Sequence, residues 1–569
     1  MTELHDAHEN GSSATDDGRP ALDVAAGVES SADDGRRVRV VHRLFIVGGA
    51  FGLAIALLVG LWVARLHVRH SVVVQLEETW VPGQSVAVRS QLLDRELHGI
   101  EGVEVGVRLE AEGGAHFDLG VLAPVRRSGV AQGRFVVPDV PLGPATVVLR
   151  YTAPSIPSFE ERVPIVVAAE RKARAPRHTV SASTLQWADD TEPQPASVRI
   201  DLRPEGRIVA GFVNRLVVRV TDPNGVPMSR PVDVRLVDGE FDGHRGNPET
   251  PPRIATGVTD ELGLLFFDGA LASEVVRFEV QVLDDEGLAD TSRRFRLVSF
   301  AGAVDLSADP LGAFTGDPIT VRALALRAKR PVFVDVFDED GAWIDTLEPI
   351  DAKTLERTWV HPAARPGIVQ FEGYHFTNNP GESTAIARIQ ITDLDPSDPR
   401  TLVPLVERTR ARLDLPRVER DFDRKLEEKY LDLLEVRATT PGAVERARRY
   451  LLGTLPVEVF GPPIALVTRP REEAALAARK HAWRIGLRIY LLGGGAIYLV
   501  VLSISLYRGQ RRLAATTAAA MVEDGEDLDP ETALHLERAR RAVLWRGLGV
   551  VAVMAVALLL TLYMLENLL

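Results

Sequence analysis

The sequence of 569 residues contains no cysteine. This absence excludes disulfides, thiolate catalysis, Cys-ligated zinc, iron–sulfur clusters and lipid anchors attached through cysteine. Lysine is also scarce: only six of the 66 basic residues are lysine. This preference for arginine indicates the base composition of a bacterial genome. Disorder of the whole chain is excluded as well, since 46% of the residues are hydrophobic and 25% are charged, as in globular proteins.

The charge balance gives no basic surface over the whole chain. Lys and Arg total 66 and Asp and Glu total 79, so the formal net charge is −13. A chain of this charge is not suited to neutralising nucleic-acid phosphates, and we predict no nucleic-acid partner. At roughly 100 to 200 residues per domain, the length predicts three to five structural units.

Three uncharged stretches are long enough to cross a membrane as helices. Leu44–Ala64 has 21 residues, and Ile489–Tyr507 and Gly547–Leu565 have 19 each. A helix of about 20 apolar residues spans a hydrocarbon core of about 30 Å. We therefore predict transmembrane helices at residues 41–66, 485–507 and 545–566. One alternative is that the three stretches are buried core helices. For the first stretch a cleaved signal peptide is a further alternative, but the long acidic segment before it and the lack of a small-x-small cleavage site argue against cleavage.

The basic residues near these stretches predict an orientation. Eleven lie before the first stretch or between the second and third, against eight on the other side. Basic residues are retained on the cytoplasmic side of a membrane. We therefore expect a protein integral to the cytoplasmic (inner) membrane, with a disordered acidic cytoplasmic tail at residues 1–40, a cytoplasmic loop at 508–544 and residues 66–488 outside the cytoplasm.

The region after the first stretch alternates apolar and polar residues as half-buried β-strands do. Val103–Leu109 and Leu216–Val220 are examples. Asp222–Gly225 and Asp338–Gly341 each follow such a run and have the composition of hairpin turns. The spacing of runs and turns predicts three β-sandwich units, at residues 70–168, 198–300 and 301–396.

Two further segments differ from this pattern. Residues 169–197 are rich in Pro, Arg and Ser, which is typical of a linker. After residue 400 the hydrophobic period becomes helical, with Val418–Val436 and Pro441–Leu452 as two predicted helices, the second with Thr440 as its N-cap. We predict a helical stalk at residues 400–482 between the sandwiches and the membrane.

Short motifs in the first two β-units resemble macroglobulin-like and bacterial Ig-like domains. Trp80-Val81-Pro82-Gly83-Gln84 before an alternating strand resembles the aromatic-x-Pro-Gly opening of macroglobulin-type domains, and Thr259–Phe266 resembles the Thr-Asp-x-x-Gly-apolar hairpin of Ig-like repeats. The fold class implied is mainly β, with tandem Ig/macroglobulin-like β-sandwiches, three transmembrane helices and a helical stalk. Macroglobulins that trap proteases use a Cys–Gln thioester, which a chain without cysteine cannot form, so the resemblance implies non-covalent binding.

Two groups of residues are candidates for metal binding. Asp393, Asp395 and Asp398 offer several oxygens to a calcium ion, although they lack EF-hand spacing and are equally explained by a solvated, proline-broken loop. His67 and His70 would share one face of a helix, but two ligands without a third are better explained by positions at the membrane interface. We therefore assign no metal site and no cofactor.

The sequence contains no motif for catalysis that we recognise. It has no Gly-rich phosphate loop, no Gly-x-Ser-x-Gly elbow and no His-Glu-x-x-His helix. A pair of carboxylates on the sandwiches remains possible for glycoside hydrolysis, because sequence does not give their separation in space. We expect no enzyme and assign no catalytic residue.

Two features of the predicted membrane region invite contacts. Acidic residues between the second and third spans precede a helix with a basic end. This charge pattern suits the helix dipole, and it also offers a docking site for a partner. The residues are Glu523, Asp524, Glu526, Asp527, Asp529, Glu531, Arg538, Arg540 and Arg541.

Small residues recur every fourth position of the first span, at Gly48, Gly52, Ala56 and Gly60. We predict that this face packs on the second span, with Gly493–Gly495 and Ser503 as the counterpart.

Together these features predict a membrane-anchored envelope protein whose extracytoplasmic sandwiches act as a non-covalent binding or scaffold module. The expected partner is another envelope protein, since sandwiches offer edge strands and loop clusters for contact. The alternative is a structural subunit of a membrane transport or secretion complex, in which the spans carry the function.

Overall fold

The chain forms two compact units in the computed structural model. One is Arg69–Arg469, and the other combines the residues up to Val68 with Pro470–Leu569. The structure describes residues 26–126, 128–154, 156–180, 197–284, 286–300, 302–326, 331–350, 354–360, 365–375, 384–413, 423–523 and 530–568.

Helices occur in both units. Among the described residues they are α1 (Ala26–Ala64), α2 (Leu402–Ala411), α3 (Arg424–Arg437), α4 (Pro441–Thr454), α5 (Arg469–Ile489), α6 (Gly495–Glu523) and α7 (Pro530–Leu568). A single π-helical turn, Tyr490–Gly494, joins α5 to α6, so that the two continue as one long helix.

The first β-sandwich begins directly after the first span. Its strands are β1 (His70–Leu76), β2 (Thr79–Trp80), β3 (Ser85–Asp94), β4 (Glu104–Ala111), β5 (His116–Val125), β6 (Val130–Val136), β7 (Gly143–Ala153) and β8 (Ile156–Val167). β5 passes between the two layers, because its first part pairs with β4 and its last three residues pair with β6. The inward faces bury Trp80 and Tyr151, and the indole of Trp80 donates to the carbonyl of Glu77 at 2.9 Å.

The second sandwich has two separate layers. After the short strand β9 (His178–Val180), its strands are β10 (Arg199–Pro204), β11 (Val213–Thr221), β12 (Pro231–Asp238), β13 (Glu240–Phe241), β14 (His244–Arg245), β15 (Arg253–Val258), β16 (Leu264–Ala270), β17 (Val275–Leu283) and β18 (Ala289–Val298). One layer is β10-β11-β16 and the other is β15-β12-β17-β18. Phe241, Phe267 and Phe278 pack edge to face between the layers.

The third sandwich has the same two-layer design. Its strands are β19 (Val304–Asp309), β20 (Gly312–Phe314), β21 (Ile319–Ala325), β22 (Val332–Phe337), β23 (Trp343–Ile350), β24 (Thr354–Trp359), β25 (Gly367–Tyr374) and β26 (Ala385–Thr392). The layers are β19-β21-β24 and β20-β26-β25-β22-β23. A mainly β fold with tandem sandwiches, as the sequence predicts, is therefore confirmed.

One five-residue turn, Asp-x-x-Gly-apolar, recurs in the second and third sandwiches. It begins at Asp222, Asp260, Asp284 and Asp338. In each copy the Asp side chain accepts the backbone N–H groups two and four residues later, and the glycine has a positive φ between 72° and 82°. Glycine tolerates this left-handed conformation, which closes the turn. The hairpin predicted at Asp338 is thus confirmed, because this turn joins the paired strands β22 and β23. The turn predicted at Asp222 is present, but the hairpin is not, because the strands it connects, β11 and β12, lie in different layers.

Residues 400–482 contain helices as predicted, but α2, α3 and α4 do not form a separate stalk, because they pack against the sandwiches. Helices α2, α3 and α4 form a cluster whose apolar faces share one core with Val217, Leu262 and Leu264 of the second sandwich and Leu311 and Ile368 of the third. The amphipathic pattern indicated helices correctly, but it does not say what covers their apolar face. Part of the predicted helix Val418–Val436 lies outside the described residues, and α3 is observed from Arg424.

After the helical cluster the chain returns to β structure. β27 (Val457–Val459) pairs with β9, and β28 (Ile464–Val467) pairs with β1 of the first sandwich. The prediction that 169–197 is a free linker therefore also needs correction: His178–Val180 is a paired strand, and Arg174 donates to the carbonyl of Gly461 at 2.8 Å. Residues 181–196 lie outside the described residues.

In its described residues, the second unit contains three helical segments that are long and apolar enough to cross a membrane. They are Arg43–Ala64, Arg469–Gly509 and Leu544–Leu568. Two predicted boundaries change. α1 begins at Ala26, within the predicted disordered tail 1–40, and α6 and α7 extend from their spans into the predicted loop 508–544, of which residues 524–529 lie outside the described residues.

Candidate functional site

The two ends of the β-rich unit lie side by side on one sheet. β1 and β28 run antiparallel, with Val73 opposite Val467. The N–H of Val72 donates to the Thr468 hydroxyl at 2.9 Å, and the N–H of Thr468 donates to the Val72 carbonyl at 3.0 Å. The chain therefore enters and leaves this unit at neighbouring points, although these residues are almost 400 positions apart in sequence.

A buried arginine fastens the first sandwich to the third. Arg89 of β3 donates through Nη2 to Asp335 Oδ1 at 2.6 Å and through Nη1 to the Tyr374 hydroxyl at 2.9 Å. Its Nε donates to Gln132 Oε1 at 2.8 Å, and the guanidinium lies 5.0 Å from the Phe333 ring centroid. Burial acts to lower the pKa of Arg89, but the charge of Asp335 outweighs it and the pKa is raised. Every polar group of this contact is engaged, so it serves cohesion.

A second buried charge network fastens the second sandwich to the helical cluster. Arg219 of β11 donates to Asp201 at 3.0 Å through Nε and to Glu427 of α3 at 2.8 Å through Nη1. Arg203 also donates to Glu427, at 3.2 Å, and the Tyr450 hydroxyl of α4 accepts from Arg219 at 3.1 Å. Burial acts to raise the pKa of Asp201, yet the two arginines lower it overall.

A third buried group holds the returning segment after the helices. Glu372 of β25 accepts the backbone N–H of Phe460 at 2.7 Å and that of Gly461 at 2.9 Å, and the Gln370 amide donates to it at 2.9 Å. Burial raises the pKa of Glu372 to about 7, against the opposing effect of these hydrogen bonds.

A small cleft of about 30 Å³ lies beside this contact, between the third sandwich and α2. Charged side chains of both signs line it, and its arginines are already engaged. Arg388 donates to Gln370 at 2.8 Å, Arg412 pairs with Glu458 at 2.9 Å, and Arg408 donates to the Glu339 carbonyl at 2.9 Å. Burial lowers the pKa of Arg388 to about 10.

The structure does not bring the candidate calcium ligands together. Asp395 accepts the N–H and the hydroxyl of Ser397 at 2.8 and 2.7 Å, and Asp398 caps a 3₁₀ turn and pairs with Arg400 at 2.6 Å. These hydrogen bonds lower the pKa of both carboxyl groups. Asp393 belongs to the same loop, and no group of three His, Cys, Asp or Glu side chains that could hold a metal ion occurs in the described residues.

His67 and His70 do not share a face of one helix. α1 ends at Ala64, Nδ1 of His67 donates to the Arg65 carbonyl at 2.9 Å, and His70 is the first residue of β1. His70 packs against the Phe159 ring, with centroids 4.7 Å apart.

The small-residue face of the first span does pack on the other spans. Ala56 is buried against Leu487 and Leu491 of the second span and Leu565 of the third. A Cβ added at Gly52 would meet the Tyr490 hydroxyl of the second span at 3.0 Å. The predicted contact with the second span is therefore confirmed at Gly52 and Ala56, but a Cβ at Gly48 would meet nothing within 4 Å and one at Gly60 would meet Leu565 of the third span.

The predicted counterpart on the second span differs in detail. Gly495 faces Leu558 of the third span, a Cβ at Gly493 would meet nothing, and the Ser503 hydroxyl bonds to the Leu499 carbonyl of its own helix. Tyr498 instead makes the contact, because its hydroxyl donates to the Phe45 carbonyl of the first span at 2.9 Å.

Little of the proposed docking loop is described. Asp524, Glu526, Asp527 and Asp529 lie outside the described residues, and so do the side chains of Glu523, Glu531 and Arg540. Arg538 is exposed on α7, and Arg541 lies 3.9 Å from Glu537 one turn earlier.

Comparison with known proteins gives no family assignment. No protein-family model matches, and no curated protein matches. Solved structures that match include Escherichia coli alpha-2-macroglobulin activated by porcine elastase, at 9% identity and a TM-score of 0.24, covering 57% of this chain and 44% of that one. Native E. coli alpha-2-macroglobulin matches at 12% identity and a TM-score of 0.16, covering 58% and 24%. Dimeric latent PorU from Porphyromonas gingivalis matches at 14% identity and a TM-score of 0.20, covering 57% and 34%.

The chain thus spans less than half the length of these proteins. A macroglobulin-like arrangement of sandwiches is compatible with the matches, but TM-scores this low support no argument about family or activity.

Proposed function

We propose that this chain is a membrane-anchored protein whose β-rich unit works outside the cytoplasmic membrane as a non-covalent binding or scaffold module for another envelope protein. The pairing of β1 with β28 is the observation that carries the proposal. One pair of adjacent strands connects the whole unit to the first and second spans, so Arg69–Arg469 is an insertion between two membrane helices.

Three internal contacts support a scaffold role. The charges of all three networks are buried. The Arg89 network joins the first and third sandwiches, the Arg219 network joins the second sandwich to the helical cluster, and the Glu372 network holds the returning segment on the third sandwich. Buried ion pairs add little net stability, but breaking one is costly, so the parts are held in defined positions. A rigid body of this kind presents its loops and edge strands to a partner without first having to order them.

Orientation is tested by reporter fusions in the full chain. A reporter inserted at the exposed turn containing Gly287, in the second sandwich, is expected to be active only outside the cytoplasm. A reporter inserted at residue 525, between the second and third spans, is expected to be active only inside. The same compartment for both would overturn the proposal.

The partner class is tested by photo-crosslinking in intact cells. A crosslinking side chain at Leu288, which is 63% exposed, is expected to capture an envelope protein, whereas one at Leu58 on the lipid-facing side of the first span is not. Capture at Leu58 alone would favour the rival role, a structural subunit of a transport or secretion complex.

A further inference from the structure

A basic ladder lies along one face of α5, at the end of the bundle where α1 ends. Lys480, Arg484 and Arg488 follow one another at intervals of four residues, which places them one above another on the same side of a helix. From Arg479 to Arg488 the helix has four basic residues and no acidic one.

The two outer members of this ladder have partners on neighbouring helices. Lys480 Nζ donates to the carbonyl of Ala64, the last residue of α1, at 3.2 Å. Arg488 Nη2 pairs with Glu566 of α7 at 2.8 Å. Leu487, between the arginines, is buried against Ala56 and Leu565, so the ladder faces the groove between α1 and α7.

The middle member has no such partner. The Nε atom of Arg484 is shielded from solvent and has no hydrogen-bond partner in the part of the chain that the structure describes, and the same holds for Nε of Arg488. An unpaired guanidinium N–H in this setting is costly, because its desolvation is not offset. Among the residues that the structure describes, Glu566 is the one acid that pairs with the ladder, so the groove retains a surplus of positive charge.

The level of the ladder is that of a membrane interface. Trp62 of α1 and Trp483 of α5 meet edge to face, with ring centroids 6.0 Å apart, and tryptophan is enriched where lipid headgroups begin. Arg488 directly precedes the uncharged stretch of the second span, and Glu566 directly follows that of the third. Arg484 therefore lies at the depth at which phospholipid phosphates lie.

We propose that Arg484, with Arg488 beside it, binds the phosphate of an anionic phospholipid headgroup in the groove between α1, α5 and α7. The guanidinium offers several N–H donors in a planar fork that matches phosphate oxygens. Anionic headgroups are preferred over zwitterionic ones because the groove has excess positive charge. The inference rests on the proposed function only in requiring that these helices span a membrane.

The test uses the full chain, purified in detergent and freed of lipid. Each phospholipid is then added back, and the bound lipid is counted by native mass spectrometry. Phosphatidylglycerol is expected to bind at concentrations at which phosphatidylcholine does not. Arg484→Gln should weaken phosphatidylglycerol binding about tenfold, as expected for loss of a charge-assisted hydrogen bond. Arg484→Lys should restore part of it.

Arg479→Gln is the matched control, since it removes the same charge from the same helix on a different face. Equal loss of lipid in Arg479→Gln and Arg484→Gln would overturn the site, and so would equal retention of the two lipids by the unaltered chain. Displacement of the lipid by millimolar inorganic phosphate would overturn the assignment to a lipid and point to free phosphate. Carbonate extraction of cell membranes separates the two hypotheses, because release of the chain would refute membrane anchoring itself, whereas retention without bound lipid refutes only the site.

Discussion

Single buried charges hold the β-rich unit together, and their effect depends on keeping both partners. Asp335→Asn leaves the Arg89 guanidinium buried without a counter-charge. We expect this change to lower the free energy of unfolding by about 3–5 kcal/mol. The double variant Arg89→Met/Asp335→Leu should recover most of the loss, because it removes both charges. Glu356→Gln in the exposed Arg322–Glu356 pair is the control and should cost no more than about 1 kcal/mol. Denaturant unfolding of the full chain in detergent measures the free energy of unfolding of all three variants. A double variant as unstable as Asp335→Asn would mean that the unpaired charge is not the cause of the loss.

Two buried carboxyl groups make stability depend on pH. Glu205 directly follows β10. Burial raises the pKa of Glu205 to about 7, and it also raises the pKa of Glu372 to about 7. A carboxyl group whose pKa is higher in the folded state contributes stability below its unfolded pKa, near 4.5, and loses it as pH rises through 7. The free energy of unfolding should therefore fall between pH 5 and 7, by up to about 1.4 kcal/mol per pH unit for each group. Denaturant titrations across this range test the slope. Glu205→Gln should flatten it, and an unchanged slope in that variant would assign the effect elsewhere.

At the scale of helices and strands, the sequence predicts what each segment is better than what it touches. The alternation in Leu216–Val220 and the Asp-x-x-Gly turns are local signals, and the strand and the turns that they predict are present. Which strands then pair is not local, because β11 and β12 on either side of the Asp222 turn lie in different layers. Ile464–Val467 has four apolar residues in a row and a partner strand at the other end of the unit, so no local signal identified β28. Arg89 and Arg219 lie on the faces of β3 and β11 that point away from the sandwich cores, so they fit the alternation. The sequence therefore contains no local sign that another part of the chain buries them.

The membrane helices offer a matched pair of neighbouring glycines. A Cβ on Gly49 would lie 2.5 Å from the Tyr498 ring, which is held by its hydrogen bond to the Phe45 carbonyl, whereas a Cβ on Gly48 would meet nothing within 4 Å. Gly49→Leu should therefore separate the first and second spans and lower the thermal unfolding temperature in detergent, while Gly48→Leu should not. Both variants should still insert into the membrane. Equal unfolding temperatures for the two would mean that helix contact on this face adds no stability.

At the scale of the whole β-rich unit, the last residues complete the first sandwich. Val72 and Leu76 of β1 donate their N–H groups to Thr468 and Pro463, so removing residues after 456 deletes the partner of a strand that begins the unit. The exposed edge left behind has unpaired N–H groups, and such an edge opens more readily. In the segment 69–456, amide hydrogen exchange at Val72 and Leu76 should be faster than in 69–469, while exchange in β4 and β7, which lie in the opposite layer, should change little. Uniformly faster exchange would mean instead that β28 stabilises the entire fold. Unchanged exchange at Val72 and Leu76 would refute the β1–β28 pairing, and with it the observation on which the proposed attachment to two spans depends.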